Sequence, residues 1–498
     1  MRRSRRSHPR RLRGKVREQA MGPFERLAAE GVVIERLSAD SRRCAPGTAF
    51  FAYPGEKADG RRFIEKAVSR GASAVLWEAE NFEWPSACRV PNVAVHGLKR
   101  QAGVLAGRFY GEPSQSLWVC GVTGTNGKTS SSHWIAAALE ASGVHAGVIG
   151  TLGSGFPGSL RDLGNTTPDA LELQATLKDL RSAGAAVIAM EVSSHGLVQG
   201  RVNGVRFACA VFTNLSHDHL DYHGSMQAYG EAKAELFAMP GLQHVVLNLD
   251  DDFGRVLAAR IAGRVHSIGF SLEHCEAPAP VDEFVALEGN EVVGSRGRAV
   301  FATRQVGRFN RSNALGVLGA LLAYGVDFTE AVRLVAALPD VPGRMETIAE
   351  RPLVIVDYAH TPDALEKVLG ALAPLARSRG GRLSVVFGAG GDRDPAKRPR
   401  MGEVAERLAD RVLITSDNPR SEDPLAIIAA IAAGMRSRAA EEPDRARAIE
   451  RAVLEAAPED VVLVAGKGHE NYQEIAGKRL AFSDQAVARA ALARRAAR

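Results

Sequence analysis

Short apolar runs recur along the chain, each closed by a polar residue and followed by a stretch of helix length. The run 117–122 passes into a glycine loop, 185–190 closes at Glu191, 208–212 at Thr213 and Asn214, and 244–249 at Asp250. Buried strands spaced by helical segments predict βαβ units and a parallel sheet. Open sheets of this kind bind ligands beyond the carboxyl ends of their strands, where these polar residues fall. The runs 353–356, 382–387, 411–415 and 461–465 repeat the pattern and predict a second such sheet. Residues 52–77 alternate short apolar runs with charged helical stretches, as in a small α/β unit. From about 270 to 305 the pattern is short and irregular, which predicts antiparallel strands. The run 314–324 contains Gly316 and Gly319 and is a buried helix; a membrane span would need roughly 20 apolar residues. Turn-rich breaks at 111–116 and 341–343 divide the chain into 21–113, 114–342 and 343–498. The fold class is therefore α/β with three domains: a small α/β domain, a central parallel-sheet domain of the phosphate-loop type, and a C-terminal Rossmann-like domain.

Composition adds an exclusion. The 498 residues are 45% apolar and 24% charged, ordinary for a globular chain and not for a disordered one. The formal charge of +6 suggests a nucleic-acid or membrane partner until it is located. Residues 1–20 alone carry +8, which leaves the remaining 478 at −2. No nucleic-acid partner is expected for the body of the chain, and the basic arm 1–20 is expected to lie outside the native protein, with Met21 as its start. The arm has no apolar core, so it is not a secretory signal. Five scattered cysteines without a CxxC pair argue against a disulfide framework or zinc ribbon and fit a reducing cytoplasm.

Candidate chemistry begins at 123–129, Thr-Gly-Thr-Asn-Gly-Lys-Thr, between a predicted strand and a predicted helix. Backbone N–H groups of such a loop cradle phosphates; Lys128 would reach the terminal phosphates and the Thr129 hydroxyl would sit on Mg²⁺. Val122 occupies the first glycine position of the strict phosphate-loop pattern. Glu191 ends a strand, as a second metal-binding acid should. Segment 214–223 holds three histidines and two aspartates. Its spacing matches no strong zinc signature, and one histidine meeting Mg²⁺ or a phosphate is favoured. Lys233 lies four residues from Tyr229 on one helical face, where a lysine is ordinarily solvated.

Together, Thr123–Thr129, Glu191 to Gly196, Asp218 to Asp221, Ala232 to Phe237, Phe309-Asn310 with Asn313, Gly343 to Glu346, and Asp357 to Asp363 resemble the Mur ligases, ATP-dependent amide-forming enzymes of peptidoglycan precursor synthesis. The resemblance runs from about Leu37 to Asp484 with its motifs in order. It implies an order of uridine-nucleotide, ATP and amino-acid domains, ATP and Mg²⁺ as cofactors, and a monomer acting on small molecules. Asp417-Asn418-Pro419-Arg420 points to the branch adding meso-2,6-diaminopimelate to UDP-N-acetylmuramoyl-L-alanyl-D-glutamate. Diaminopimelate is lysine plus a distal carboxylate, and an arginine fork binds a carboxylate bidentately.

The same resemblance implies roles residue by residue. Gly124, Thr125, Asn126, Gly127, Lys128, Thr129, Ser130, Asn313, Arg344 and Asp357 match ATP contacts. Lys128, Glu191, His219 and Lys233 match catalytic positions, with Thr129, Glu191, His219 and Lys233, the last as a carbamate, around the metal. Ser41, Glu56, Lys57 and Ala58 match the uridine-nucleotide site, and Asn165, Thr166, Thr167, Ser193, Gln199 and Arg201 the muramoyl dipeptide. Arg393, Asp417, Asn418, Pro419, Arg420, Gly466 and Glu470 match the diaminopimelate site. The competing readings are a related ligase (MurF or a folylpolyglutamate synthase), against which Asp417 to Arg420 and Gly466 to Glu470 argue, a general phosphate-loop kinase or NTPase, and a non-enzymatic scaffold.

Overall fold

The computed structural model describes residues 21–56 and 58–497; the basic arm and Lys57 lie outside the described residues. Strands Arg36–Ser38, Thr48–Ala52, Ala74–Glu78 and Asn92–Val95 form a parallel sheet in chain order. Its apolar face, with Phe51 and Leu76, is covered by Leu98, Ala102 and Leu105 of helix Leu98–Phe109. The same helix carries glycines at 103 and 107. A Cβ on Gly103 would stand 2.0 Å from the Asn203 carbonyl oxygen, so only glycine lets the first domain dock on the second there.

Eleven strands form the central sheet. Its middle is parallel, in the order Glu283–Glu288, His266–Ser271, His244–Asn248, Cys209–Phe212, Trp118–Thr123, Val187–Glu191, Ala146–Gly150. An antiparallel pair closes each edge: Glu291–Gly294 with Gly297–Val300, and Gly153–Phe156 with Ser159–Arg161. The antiparallel expectation for 270–305 is thus half corrected. Glu283–Glu288 runs parallel to His266–Ser271, because connection 272–282 carries the chain back along the sheet; the antiparallel pairings begin with Glu291–Gly294 and continue to Gly297–Val300. The sequence pattern missed Ala146–Gly150 and its hairpin, whose glycines dilute the apolar signal. Helices Lys128–Ala141 and Arg308–Tyr324 pack on one face of this sheet, and Ala170–Ser182 and Asp252–Ile261 on the other. Gly319 lets Arg308–Tyr324 settle on the sheet: a Cβ there would meet Val246 at 2.6 Å.

The C-terminal sheet has six strands in the order Glu346–Glu350, Leu353–Asp357, Val461–Ala465, Leu383–Phe387, Arg411–Ile414, Ala440–Glu441, parallel except for the first. Helices Pro362–Ser378, Lys397–Leu408 and Pro424–Ala432 cover one face; Arg445–Glu455 and Asp484–Ala496 cover the other. Hairpin Tyr472–Ile475 with Lys478–Ala481 stands apart and bridges to Arg420. Among the described residues, no helix is long and apolar enough to cross a membrane.

Candidate functional site

The buried strand Trp118–Thr123 delivers its chain directly into a glycine turn. Gly124 (φ +151°) approaches so closely that a Cβ would lie 1.9 Å from Thr213 Oγ1, and at Gly127 (φ +87°) one would lie 2.4 Å from Asn313 Oδ1. Both glycines are therefore required by the path of the loop. The neighbouring strand end pins it: Thr125 N donates to Asn214 O (2.8 Å), Asn126 N to Asn214 Oδ1 (3.1 Å), and Thr213 Oγ1 to Asn126 O (2.6 Å). The loop then opens helix Lys128–Ala141, whose free N–H groups suit an anion. Lys128 folds back, its Nζ donating to the carbonyls of Gly124 and Thr125 at 2.8 Å each.

Glu191 ends the adjacent strand and is buried. Its carboxylate accepts from Thr129 Oγ1 (2.9 Å), Thr151 N (2.7 Å) and Thr151 Oγ1 (3.1 Å). Buried Lys233 donates from Nζ to Gly124 O at 2.9 Å, with the Tyr229 ring 4.2 Å away. Burial, and then the neighbouring Lys128 cation, hold its ammonium well below the ordinary lysine value. The solvated expectation for Lys233 is corrected: helix Met226–Ala234 turns that face inward under the phosphate loop. His219 has a left-handed backbone (φ +52°) and pairs with Asp218 at 3.4 Å, its ring near those of Tyr229 and His195. Burial lowers its pKa. It lines the same cavity as Thr129 and Glu191 but hydrogen-bonds to neither.

Residues after position 342 close that cavity, which measures about 480 Å³. Arg344 points its Nη2 at Thr129 Oγ1 (3.4 Å) and stacks 4.2 Å from the Tyr358 ring. Asp357 is buried at a strand end, accepting from Met345 N (2.7 Å) and Ala359 N (2.8 Å), and burial raises its pKa. Asn313 and Ser130 line the opposite wall with the phosphate loop. The volume is that of a small-molecule site.

A chain of polar contacts runs from Glu191 toward the first domain. Thr167 Oγ1 donates to Glu191 O (2.9 Å) and accepts from Ser193 N (3.0 Å); Arg201 Nη1 donates to Thr167 O and its Nε to Gln199 Oε1, both at 2.7 Å. Gln199 Nε2 (2.7 Å) and Tyr222 Oη (2.6 Å) both donate to Glu56. Thr166 shares a hydrogen bond with Thr151 (3.0 Å), while Ser193 caps helix Ser194–Val198. Asn165 is exposed at its loop tip, Ala58 closes a turn with Gly55, and Ser41 is buried in the short turn Ser41–Arg43. Among the described residues, side-chain hydrogen bonds do not join Ser41 or Asn165 to this series of contacts.

The last group sits at the carboxyl ends of the C-terminal strands. Asn418 Nδ2 donates to Glu470 Oε2 (2.8 Å), and its Oδ1 accepts from Lys467 Nζ (2.9 Å) and Glu474 N (2.9 Å). Arg420 (φ +53°) donates to the Gly391 carbonyl, and its Nε lies 3.9 Å from Glu474 Oε2. A Cβ on Gly390 would lie 3.0 Å from Arg420 Nη1 and 3.8 Å from Arg393 Cγ, so both arginines lie against one glycine. A Cβ on Gly391 would strike Pro419 O at 2.0 Å, and one on Gly466 would strike Asp417 Oδ2 at 2.5 Å.

Sequence reasoning missed three supports. Lys467 is fully buried and also meets Glu470 Oε2 at 3.0 Å. Buried Arg398 grips Glu422 with two bonds of 2.8 Å, pinning loop 388–394 to the segment after Arg420. Arg445 and Asp484 form a pair with no exposed surface. Lys467 could have been found inside Gly466 to Glu470. Arg398 and Arg445 open arginine-rich helices whose other arginines face water, and the sequence does not distinguish them.

A phosphate loop with a second-strand acid, closed by an arginine and an aspartate from a following α/β domain, defines a nucleotide-dependent enzyme built across two domains. Family models match three successive stretches: "Mur ligase family, catalytic domain" over 33–110, "Mur ligase middle domain" over 122–321, and "Mur ligase, glutamate ligase domain" over 343–468. The chain belongs to the Mur ligase family. It is 52% identical over 469 residues to the UDP-N-acetylmuramoyl-L-alanyl-D-glutamate--2,6-diaminopimelate ligase of Chromobacterium violaceum, covering 93% of this chain and 95% of that one. Against the enzyme of the same name from Pseudomonas aeruginosa it is 50% identical over 477 residues, with 94% and 96% covered. A solved structure of a ligase of that name superposes with TM-score 0.66 at 37% identity, over 93% of this chain and 95% of that one. MurF ligase from Thermotoga maritima in complex with ADP shares the fold at TM-score 0.58 and 18% identity, with 93% and 97% covered.

Proposed function

We propose that this ligase couples ATP hydrolysis to joining meso-2,6-diaminopimelate to the D-Glu carboxylate of UDP-N-acetylmuramoyl-L-alanyl-D-glutamate, in peptidoglycan precursor synthesis. The observation that carries the substrate choice is the charge layout beyond the C-terminal strands. The Arg420 guanidinium and the Arg393 stem lie against Gly390, and Glu470 is fixed by Asn418 and Lys467. An amino acid with carboxylates and ammonium groups at both ends matches arginine forks and a carboxylate presented together. Lysine would leave one arginine without a partner.

In the mechanism, Lys128 exchanges its two loop carbonyls for phosphate oxygens of ATP, joined by loop N–H groups and Arg344. The substrate carboxylate oxygen attacks the terminal phosphorus and ADP leaves, giving an acyl phosphate. The diaminopimelate amine attacks the acyl carbon, inorganic phosphate leaves, and the nitrogen loses its proton. Carboxylate is a poor electrophile, which is why phosphorylation must come first. The acyl phosphate survives only if water is kept out. The seam where Arg344 meets Thr129 and Ser216 meets Asp363 (3.3 Å) brings the two domains together over the cavity.

Magnesium takes hard oxygen donors. The Thr129 hydroxyl and Glu191 carboxylate, 2.9 Å apart and buried, fit it, and we assign His219 and Lys233 as a carbamate to the same group. Bound there, the ion neutralises charge on the phosphates. The amine of Lys233 has no oxygen to offer, so carbamylation is what converts it into a ligand. The Thr167–Arg201–Gln199–Glu56 chain is assigned to the uridine nucleotide and dipeptide. The enzyme acts as a monomer in the cytoplasm, where its substrates are soluble nucleotides and amino acids.

The test is ADP formation by the purified chain with each substrate omitted in turn. Release that needs both the UDP-muramoyl dipeptide and diaminopimelate supports the assignment. Release with ATP alone would indicate a general NTPase, and none under any condition a scaffold.

A further inference from the structure

Arg445 opens helix Arg445–Glu455, and Asp484 opens helix Asp484–Ala496. Their side chains meet in two bonds of 2.7 Å, Nε to Oδ1 and Nη2 to Oδ2, and both are 0% exposed. The guanidinium is not used up by this pair. Nη1 donates to Ser416 O (3.2 Å) and Nη2 to Ala465 O (3.0 Å). Ala465 ends one strand, and Ser416 lies two residues beyond the end of another; the two strands flank Leu383–Phe387 in the sheet. Ser416 and Ala465 also immediately precede Asp417 and Gly466, which the proposed function places in the diaminopimelate site.

We propose that Arg445, held by Asp484, is a positioning residue that sets the floor of the amino-acid pocket. A fork with fixed spacing between its nitrogens ties Ser416 and Ala465 at one distance. Gly466 and Asp417 are then locked in a close approach, because a Cβ on Gly466 would stand 2.5 Å from Asp417 Oδ2 and 4.0 Å from Arg445 Nη2. A floor shifted by a fraction of an ångström would tilt Asp417 and Asn418 away from the ligand. Stability alone is a weak reason for the pair, since buried ion pairs are often replaceable by apolar residues without loss. The two bonds to the Ser416 and Ala465 carbonyls are what an apolar replacement cannot supply. Asp484 keeps the fork from rotating.

This inference rests on the diaminopimelate assignment. The test measures KM for ATP, UDP-muramoyl dipeptide and diaminopimelate in wild type, in Arg445→Lys, and in the apolar double variant Arg445→Met/Asp484→Leu. Both variants should raise KM for diaminopimelate about tenfold or more and leave the other two KM values within about twofold. Discrimination against lysine should fall in parallel. The double variant keeps the core filled, and Arg445→Lys keeps the charge while losing the span, so one covers a folding failure of the other. Unchanged KM for diaminopimelate in a folded variant, or an equal rise in all three constants, overturns the inference. A wild-type enzyme indifferent to diaminopimelate would instead overturn the substrate assignment.

Discussion

Lys128 and Lys233 converge on one carbonyl: both ammonium groups donate to Gly124 O, at 2.8 and 2.9 Å. Two cations this close share a single weak acceptor, and burial lowers the pKa of each. Such an arrangement is held ready for anions. Phosphate oxygens would take Lys128 from the loop, and carbamylation would turn the Lys233 cation into an anion. Lys128→Met should therefore fold, since its partners are carbonyls that water can also satisfy. It should lose at least a hundredfold in phosphate release, about 2.7 kcal/mol of barrier. Release within tenfold of wild type in a folded variant would remove Lys128 from the mechanism.

Carbamate forms when a neutral amine adds CO₂ and loses a proton. An ordinary lysine is almost fully protonated at neutral pH, whereas burial and the Lys128 cation shift Lys233 toward the neutral amine. Exhaustive removal of CO₂ from enzyme and buffer should reduce activity severalfold, and bicarbonate should restore it. The effect should be larger near pH 6, where protonation competes, than near pH 8. Lys233→Met should be inactive at any bicarbonate level. Activity indifferent to CO₂ at both pH values would dissociate Lys233 from carbamylation.

Arg420 pays for its place with a left-handed backbone and is held by hydrogen bonds on either side, Arg420 N to Glu474 O (3.0 Å) and Ala476 N to Arg420 O (2.7 Å). Its side chain spends one bond on Gly391 and keeps further N–H groups free for a ligand carboxylate. Charged hydrogen bonds contribute about 1.5–3 kcal/mol. Arg420→Ala should therefore raise KM for diaminopimelate by roughly 10- to 100-fold and leave KM for ATP unchanged. Arg420→Lys should recover little, because one ammonium cannot reproduce a fork. Equal losses for both substrates would assign Arg420 to the fold.

The parallel sheets were legible because their strands are continuous Val, Ile, Leu and Ala runs, and the phosphate loop because glycine, lysine and hydroxyl must sit at fixed spacing. The edge strands were not. Ala146–Gly150 carries two glycines, and the hairpin beyond it has little apolar surface to announce it. For Lys233, helical spacing placed it on one face with Tyr229 but could not say that this face turns under the loop; the family resemblance supplied its role. Arg398, Arg445 and Asp484 stayed hidden for a related reason. Burial of a charge is decided by distant segments that arrive with its partner, and nothing local marks it.

His133 and His469 give the fold a sensitivity to acid. His133 lies one turn beyond Thr129 on the phosphate-loop helix, and His469 follows Gly468, whose backbone packs against Gly343. Each has a buried ring nitrogen, Nε2 and Nδ1 respectively, without a hydrogen-bond partner among the described residues. Burial, then the Arg344 cation, pushes both down to about 4. In the unfolded chain each returns to about 6.5. Above that value both states are neutral and the full stability is present. As pH falls from about 6.5 toward 4, the unfolded chain binds protons that the folded one refuses, so stability is lost in that window. Each histidine can account for at most about 2 kcal/mol at pH 5. Thermal midpoints at pH 7.5 and 5.0 should fall several degrees for the wild type. His133→Asn and His469→Asn, which cannot take up a proton, should each lose less over the same interval, and the double variant least. A double variant that falls as far as the wild type would show that other groups carry the acid sensitivity.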